Sequence, residues 1–76
     1  MNKARRKRLE TIREAVDALR TELETLKDED GEALDAMPEG LRNSARGEAA
    51  EEAFSNLESA VMSLEDAVNY MEEAGN

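Results

Sequence analysis

Arg42, Asn43, Ser44, Arg46 and Gly47 fall within six positions of one another, and they are the residues of this 76-residue chain best placed to do chemistry together. Ser44 reads as the N-cap of a helix that begins at Ala45. The unpaired N–H groups of a first helical turn attract phosphates and carboxylates, and two arginines beside them would add charge-assisted bonds. Gly47 keeps side-chain bulk out of that turn. The chemistry implied is anion capture, of a nucleotide-like ligand or of an acidic side chain on a partner. The plainer alternative is that Arg42 and Arg46 pair with Asp35, Glu39 or Glu48.

Other chemical signals weaken when their spacing is tested. Asp28-Glu29-Asp30-Gly31-Glu32 hints at a calcium loop, but aligning Gly31 with the loop glycine puts Leu26 and Met37 where carboxylates belong. Glu51-Glu52, Glu65-Asp66 and Glu72-Glu73 are carboxylate pairs, yet neighbours in a helix point apart and no His accompanies them. With no Cys and no His, disulfides, the usual zinc sites and imidazole catalysis are excluded. No glycine-rich phosphate loop is present. Phe54 and Tyr70 are the only aromatics, too few for a base-stacking platform. The expectation is a non-enzyme with no cofactor and no metal.

Charge supplies the next constraint. The net charge is −9, but Lys3, Arg5, Arg6, Lys7 and Arg8 hold half of the ten basic side chains. The remainder sets five bases against nineteen acids. A nucleic-acid backbone would repel such a body, whereas the head could touch one. The head also lies at the start of a helix, the unfavourable end for cations in the helix dipole, so some other need must keep it there. It lacks the apolar stretch of a signal peptide, and no apolar run approaches a membrane span, so a cytoplasmic location in the host cell is expected.

The elements that position these groups are two helices. Leu9, Ile12, Val16, Leu19, Leu23 and Leu26 step by three and four, an a/d heptad seam that predicts a helix over about 3–30, with Gly31 as a stop unless Ala33, Leu34 and Met37 prolong the apolar face by another turn or two. Ala50, Phe54, Leu57, Val61, Leu64, Val68 and Met71 form a second seam and predict a helix over about 45–74. Between them, a connection over 31–44 holds a short helical turn at Pro38-Glu39, with Leu41 as an apolar plug over the bundle end. The fold class is therefore all-α: one domain, an antiparallel two-helix hairpin with a structured connection.

Two stripes of opposite charge fit that pairing. Arg6, Arg13, Arg20 and Lys27 recur every seven residues, as do Glu51, Glu58, Glu65 and Glu72. Both stripes occupy heptad position e, and e faces e only in an antiparallel pair. The expected neighbours are Arg13 with Glu65, Arg20 with Glu58, and Lys27 with Glu51. Exposed pairs are worth about 0.2–1 kcal/mol each, so they set register more than stability.

A lone hairpin leaves one side of its seam open to water. Ala53, Ala60, Ala67 and Ala74 form a small-residue flank that admits a close helix. Together they predict a homodimer or higher homo-oligomer, two hairpins closing into a four-helix bundle. The expected interface is Phe54, Leu57, Val61, Leu64 and Val68 with Ala53, Ala60 and Ala67.

The segment Asp35-Ala36-Met37-Pro38-Glu39-Gly40-Leu41-Arg42-Asn43-Ser44-Ala45-Arg46-Gly47-Glu48, followed by Asn56-Leu57-Glu58 and Leu64-Glu65, resembles a group of short, functionally uncharacterised acidic helical proteins encoded by phages and prophages of Gram-positive bacteria. Their loop reads D-N-M-P-E-x-L-x-x-S-x-R. Here Ala36 replaces Asn and Arg42 stands where Gln is usual. The resemblance implies a mobile-element origin and supplies no activity. Three functions follow as expectations. The first is a non-enzymatic acidic bundle that engages a host protein, such as a defence factor, by a DNA-like surface. The second is sequestration of a small anionic or nucleotide signal at Arg42, Ser44 and Arg46. The third is nucleic-acid contact by Lys3, Arg5, Arg6, Lys7 and Arg8.

Overall fold

The computed structural model describes residues 1–76 and contains three helices: α1 (Lys3–Asp35), α2 (Glu39–Arg42) and α3 (Ala45–Gly75). Helices α1 and α3 lie against each other antiparallel and form a bar measuring 58 × 14 × 13 Å. The cap of α3 is the expected one. Ser44 is extended, its Oγ accepts from the Gly47 N–H at 3.4 Å, and its hydroxyl donates to the Leu41 carbonyl. Asn2 caps α1 in the same way, its Oδ1 accepting from the Arg5 N–H at 2.8 Å.

Gly31 does not stop the first helix. Helix α1 runs on to Asp35, and no glycine in the chain has positive φ. The role of Gly31 is spatial, since a Cβ there would lie 2.9 Å from Cε2 of Phe54. The missing side chain lets the one aromatic of the seam rest against α1. Gly47 is a tighter case, because a Cβ at that position would come within 2.5 Å of the Arg42 carbonyl carbon and Cα. Backbone cannot yield as a ring can, so only glycine lets α3 start directly beside the end of α2. Because α1 runs to Asp35, the connection between the long helices is shortened to 36–44, within which the expected turn after Pro38 forms α2.

The longer first helix moves the register by one heptad. Arg13 Nη1 faces Glu72 Oε1 at 3.7 Å, and Arg20 Nη1 faces Glu65 Oε1 at 3.7 Å. Lys27 is bonded to Asp28 at 3.1 Å. Its ammonium is held above the ordinary lysine value first by that bond, then by attraction to Asp28, Glu24 and, across the pair, Glu58. The stripes therefore meet in antiparallel order, but each base finds the acid seven residues beyond the one expected. Glu51, left without Lys27, takes Arg42 instead, with Nε 3.3 Å from Oε1. The cross-helix contacts are also looser than those within α1, where Arg20 reaches Asp17 at 3.0 Å and Glu24 at 2.8 Å.

A register displaced by one heptad is displaced by about 10 Å along the helix. Because the chain has no cysteine, paired cysteines can report it. Arg20→Cys with Glu65→Cys should be bridged within the chain by a short thiol-reactive crosslinker, and Arg20→Cys with Glu58→Cys should not. A better yield from the second pair would restore the register expected from sequence.

The core is small. Leu34, Val61 and Val68 are the only buried apolar side chains. Leu34, at 7% exposure, closes the loop end of the hairpin, whereas Leu41, at 38%, stays outside and does not act as the plug. Leu34 occupies the same heptad position as Arg13, Arg20 and Lys27, so α1 meets α3 along its a and e positions rather than along a and d. Leu9, Val16 and Leu23 are half-buried. The d residues are turned outward, with Ile12 at 53%, Leu19 at 58% and Leu26 at 52% exposed. No helix is long and apolar enough to cross a membrane.

Candidate functional site

The anion corner is built as expected on one side only. Ser44 is the cap, and Gly47 sits in the first turn of α3 with its N–H turned to Ser44. Arg42, however, lies at the last residue of α2 and spends its guanidinium on Glu51. Arg46 and Asn43 are exposed, and Asn43 serves as the C-cap of α2 through its backbone N–H to the Glu39 carbonyl at 3.0 Å. The structure brings Ser44 and Gly47 together and draws Arg42 away into a shallow cleft lined by Gly31, Leu34, Asp35, Glu51 and Phe54. Arg46 is left as the one free cation of the corner. The Arg42 pairing is of the plain kind weighed against anion capture, although its acid is Glu51 and not one of the three nearer in sequence.

The basic head is free along its length. Lys3, Arg5, Arg6, Lys7 and Arg8 are exposed, and none of the six ion pairs of the chain involves them. Arg6 donates to the Met1 carbonyl at 2.8 Å. Lys3, Arg6 and Lys7 line an open cleft at the far end of the bar together with Arg13 and Glu72. Glu72 turns to Arg13 there, not to the head.

Helix α3 gathers the opposite charge. It carries eight acids against a single base, Arg46, and all eight acids are exposed. Glu51, Glu65 and Glu72 sit on the flank that meets the bases described above. Glu48, Glu52, Asp66 and Glu73 form no ion pair and occupy the side of α3 away from α1. No group of three or more acidic side chains is placed to hold a metal ion, and no buried side-chain polar atom lacks a partner.

The residues expected at an oligomer interface fall mostly inside the hairpin. Val61 and Val68 are buried against α1, Phe54, Leu57, Leu64, Ala60 and Ala67 are half-buried, and Ala53 is exposed. On α3 the exposed large apolar side chains are Met62 and Tyr70, whereas on α1 Ile12, Leu19 and Leu26 stand uncovered at heptad spacing. The heptad signal for these three was present in the sequence. Which half of the seam the hairpin would leave open depended on how α1 is rotated, and that rotation is set by Leu34 and Gly31 near the loop.

No protein-family model, curated protein or solved structure gives a significant match to this chain.

Proposed function

We propose that this chain is a non-enzymatic binding protein of a phage or other mobile element, a homo-oligomeric acidic helical bundle that engages a basic surface on a host protein. The observation that carries this reading is the exposed acidity of α3, with eight carboxylates and one base on a helix of 31 residues. A surface of one sign steers association with a partner of the opposite sign and rejects nucleic acid. The likeness of residues 35–48 to the phage-encoded loop supports the mobile-element origin. A host defence protein whose groove ordinarily holds DNA fits such a surface.

Charge density supports the oligomeric form of this reading. Duplex DNA presents one negative charge per about 1.7 Å of axis. Eight acids on a helix of about 46 Å give one per roughly 6 Å. Two copies side by side, each of net charge −9, on a bar of the same 58 Å length come nearer to the duplex value than one copy does.

The test is retention of host protein on the immobilised chain, compared with the variant Glu52→Gln/Asp66→Asn/Glu73→Gln. These positions are outside every ion pair of the hairpin, so the variant keeps its fold. The expected result is a host protein held by the parent chain, released by moderate salt and not held by the variant. A partner held equally by both and indifferent to salt contradicts the acidic-surface reading.

A further inference from the structure

The hairpin exposes 5741 Å², about 1,100 Å² more than the roughly 4,600 Å² that mass scaling gives for a compact monomer of its 8.4 kDa. That excess is what one subunit contributes to a substantial protein interface, about 800 Å² or more per partner. Part of it is an apolar line on α1. Ile12, Leu19 and Leu26 recur every seven residues and are each more than half exposed. Ala15 and Ala18 lie beside the middle of the line, both exposed and small enough to admit another helix at close range.

The charges at the ends of that line say what covers it. Helix α1 opposes its own dipole at both ends, having no acid in its first turn and no base in its last. Its first residues include Lys3, Arg5, Arg6, Lys7 and Arg8 without an acid. Its last include Asp28, Glu29, Asp30, Glu32 and Asp35 without a base. Around the apolar line lie Arg5 and Arg8 at one end, Glu22 beside its middle, and at the other end Glu29, with Glu32 further round the helix. All five are exposed and without an ion pair in the chain. Leu19 is the midpoint of α1, which spans Lys3–Asp35.

We infer that the apolar face of α1 is a dimerisation surface, on which α1 of a second copy lies antiparallel about a two-fold axis at Leu19. In that arrangement Leu19 meets Leu19, Ile12 meets Leu26 of the other copy, and Arg5 and Arg8 reach Glu29 and Glu32 of the other copy, twice over by symmetry. Two copies of −9 repel as whole bodies, so orientation decides. A parallel pair would stack head on head and acid on acid, whereas the antiparallel pair sets each head on the acidic tail of the other. This also accounts for cations held at the wrong end of a helix dipole. The inference deepens the homo-oligomeric part of the function proposed above by naming the face and the direction.

The experiment has two parts, both on the full chain at micromolar concentration. Light scattering should give twice the chain mass for the parent protein and for Tyr70→Asp, which alters an exposed side chain of α3. Leu19→Asp should give the single mass with its helicity retained. In the second part, Ile12→Cys and Leu26→Cys proteins are mixed and oxidised. The expected product is the mixed disulfide, with neither homodisulfide favoured. As a charge check that leaves the apolar line intact, Arg5→Glu/Arg8→Glu should weaken the dimer by about tenfold or more. A parent dimer that survives Leu19→Asp, or whose cysteines form homodisulfides, overturns this face and direction while leaving the homo-oligomer standing. A parent protein of single mass overturns both.

Discussion

Gly47→Ala should cost the hairpin about 1–3 kcal/mol, although alanine is the better helix former by close to 1 kcal/mol. The reason lies in the connection. A methyl group at position 47 would occupy the space of the Arg42 backbone, so α2 must be pushed off the first turn of α3. The Gly47 N–H that Ser44 accepts would shift with it. Gly40, also helical, offers the control because nothing lies within 4 Å of a Cβ there. Gly40→Ala should be neutral or stabilising by up to about 1 kcal/mol. Thermal unfolding of the two variants at one protein concentration checks the pair. Equal melting temperatures would mean that the close approach of α2 to α3 is not part of the folded state.

Leu34→Ala is the second large effect. Burial at this site is nearly complete, and truncating a buried leucine commonly costs about 2–5 kcal/mol. A domain of this size holds only about 4–11 kcal/mol in total, and Leu34 is one of three buried apolar side chains. The melting temperature should therefore fall by at least about 10 °C, since 1 kcal/mol corresponds to about 4–8 °C in a small domain. Leu41→Ala, at a residue more than a third exposed, should lower it by only a few degrees, about 1 kcal/mol or less. Reversal of that order would put Leu41 back over the end of the bundle, and the two leucines would exchange roles. The comparison must be made at fixed concentration, because any dimer couples stability to protomer concentration.

The helices were legible because their signals are local and repeated. Seven-residue spacing, the Ser44 cap and the turn after Pro38 each depend on a few neighbouring residues, and all three are present in the fold. The register was not legible, and the cause is the double meaning of glycine. Gly31 after a run of acids reads as a helix end, yet it serves as a gap for Phe54. Nothing within ten residues of Gly31 announces an aromatic that arrives from position 54. Because α1 therefore runs five residues past the expected end, every opposed pair moves by one heptad. The periodicity of the stripes is blind to such a shift, since Arg20 meets an acid of the stripe in either register.

The rotation of α1 was hidden for a similar reason. A helix can turn both lines of an a/d seam to one partner, as α3 does with Val61 and Val68 buried and Leu57 and Leu64 half-buried, but α1 is rotated toward its e side. Leu34, at the e position, continues the line of Arg13, Arg20 and Lys27 and pulls α3 to that side. The arginine and lysine stems then provide apolar cover while their charged ends reach outward. Ile12, Leu19 and Leu26 are left on the other side. The anion corner was legible in its parts, namely the cap and the glycine. It was not legible in its sum, because the acid that occupies Arg42 is Glu51, which the expected register had assigned to Lys27.

We propose that the protein works as an assembly of its own copies that binds another protein and carries no small ligand. Native mass spectrometry of the full chain, gently purified from cells, measures this directly. The expected species has twice 8.4 kDa with no added mass of nucleotide size. A single chain would contradict the assembly. An oligomer carrying a nucleotide-sized mass would instead make it a sequestering protein, with Arg46 the first residue to replace.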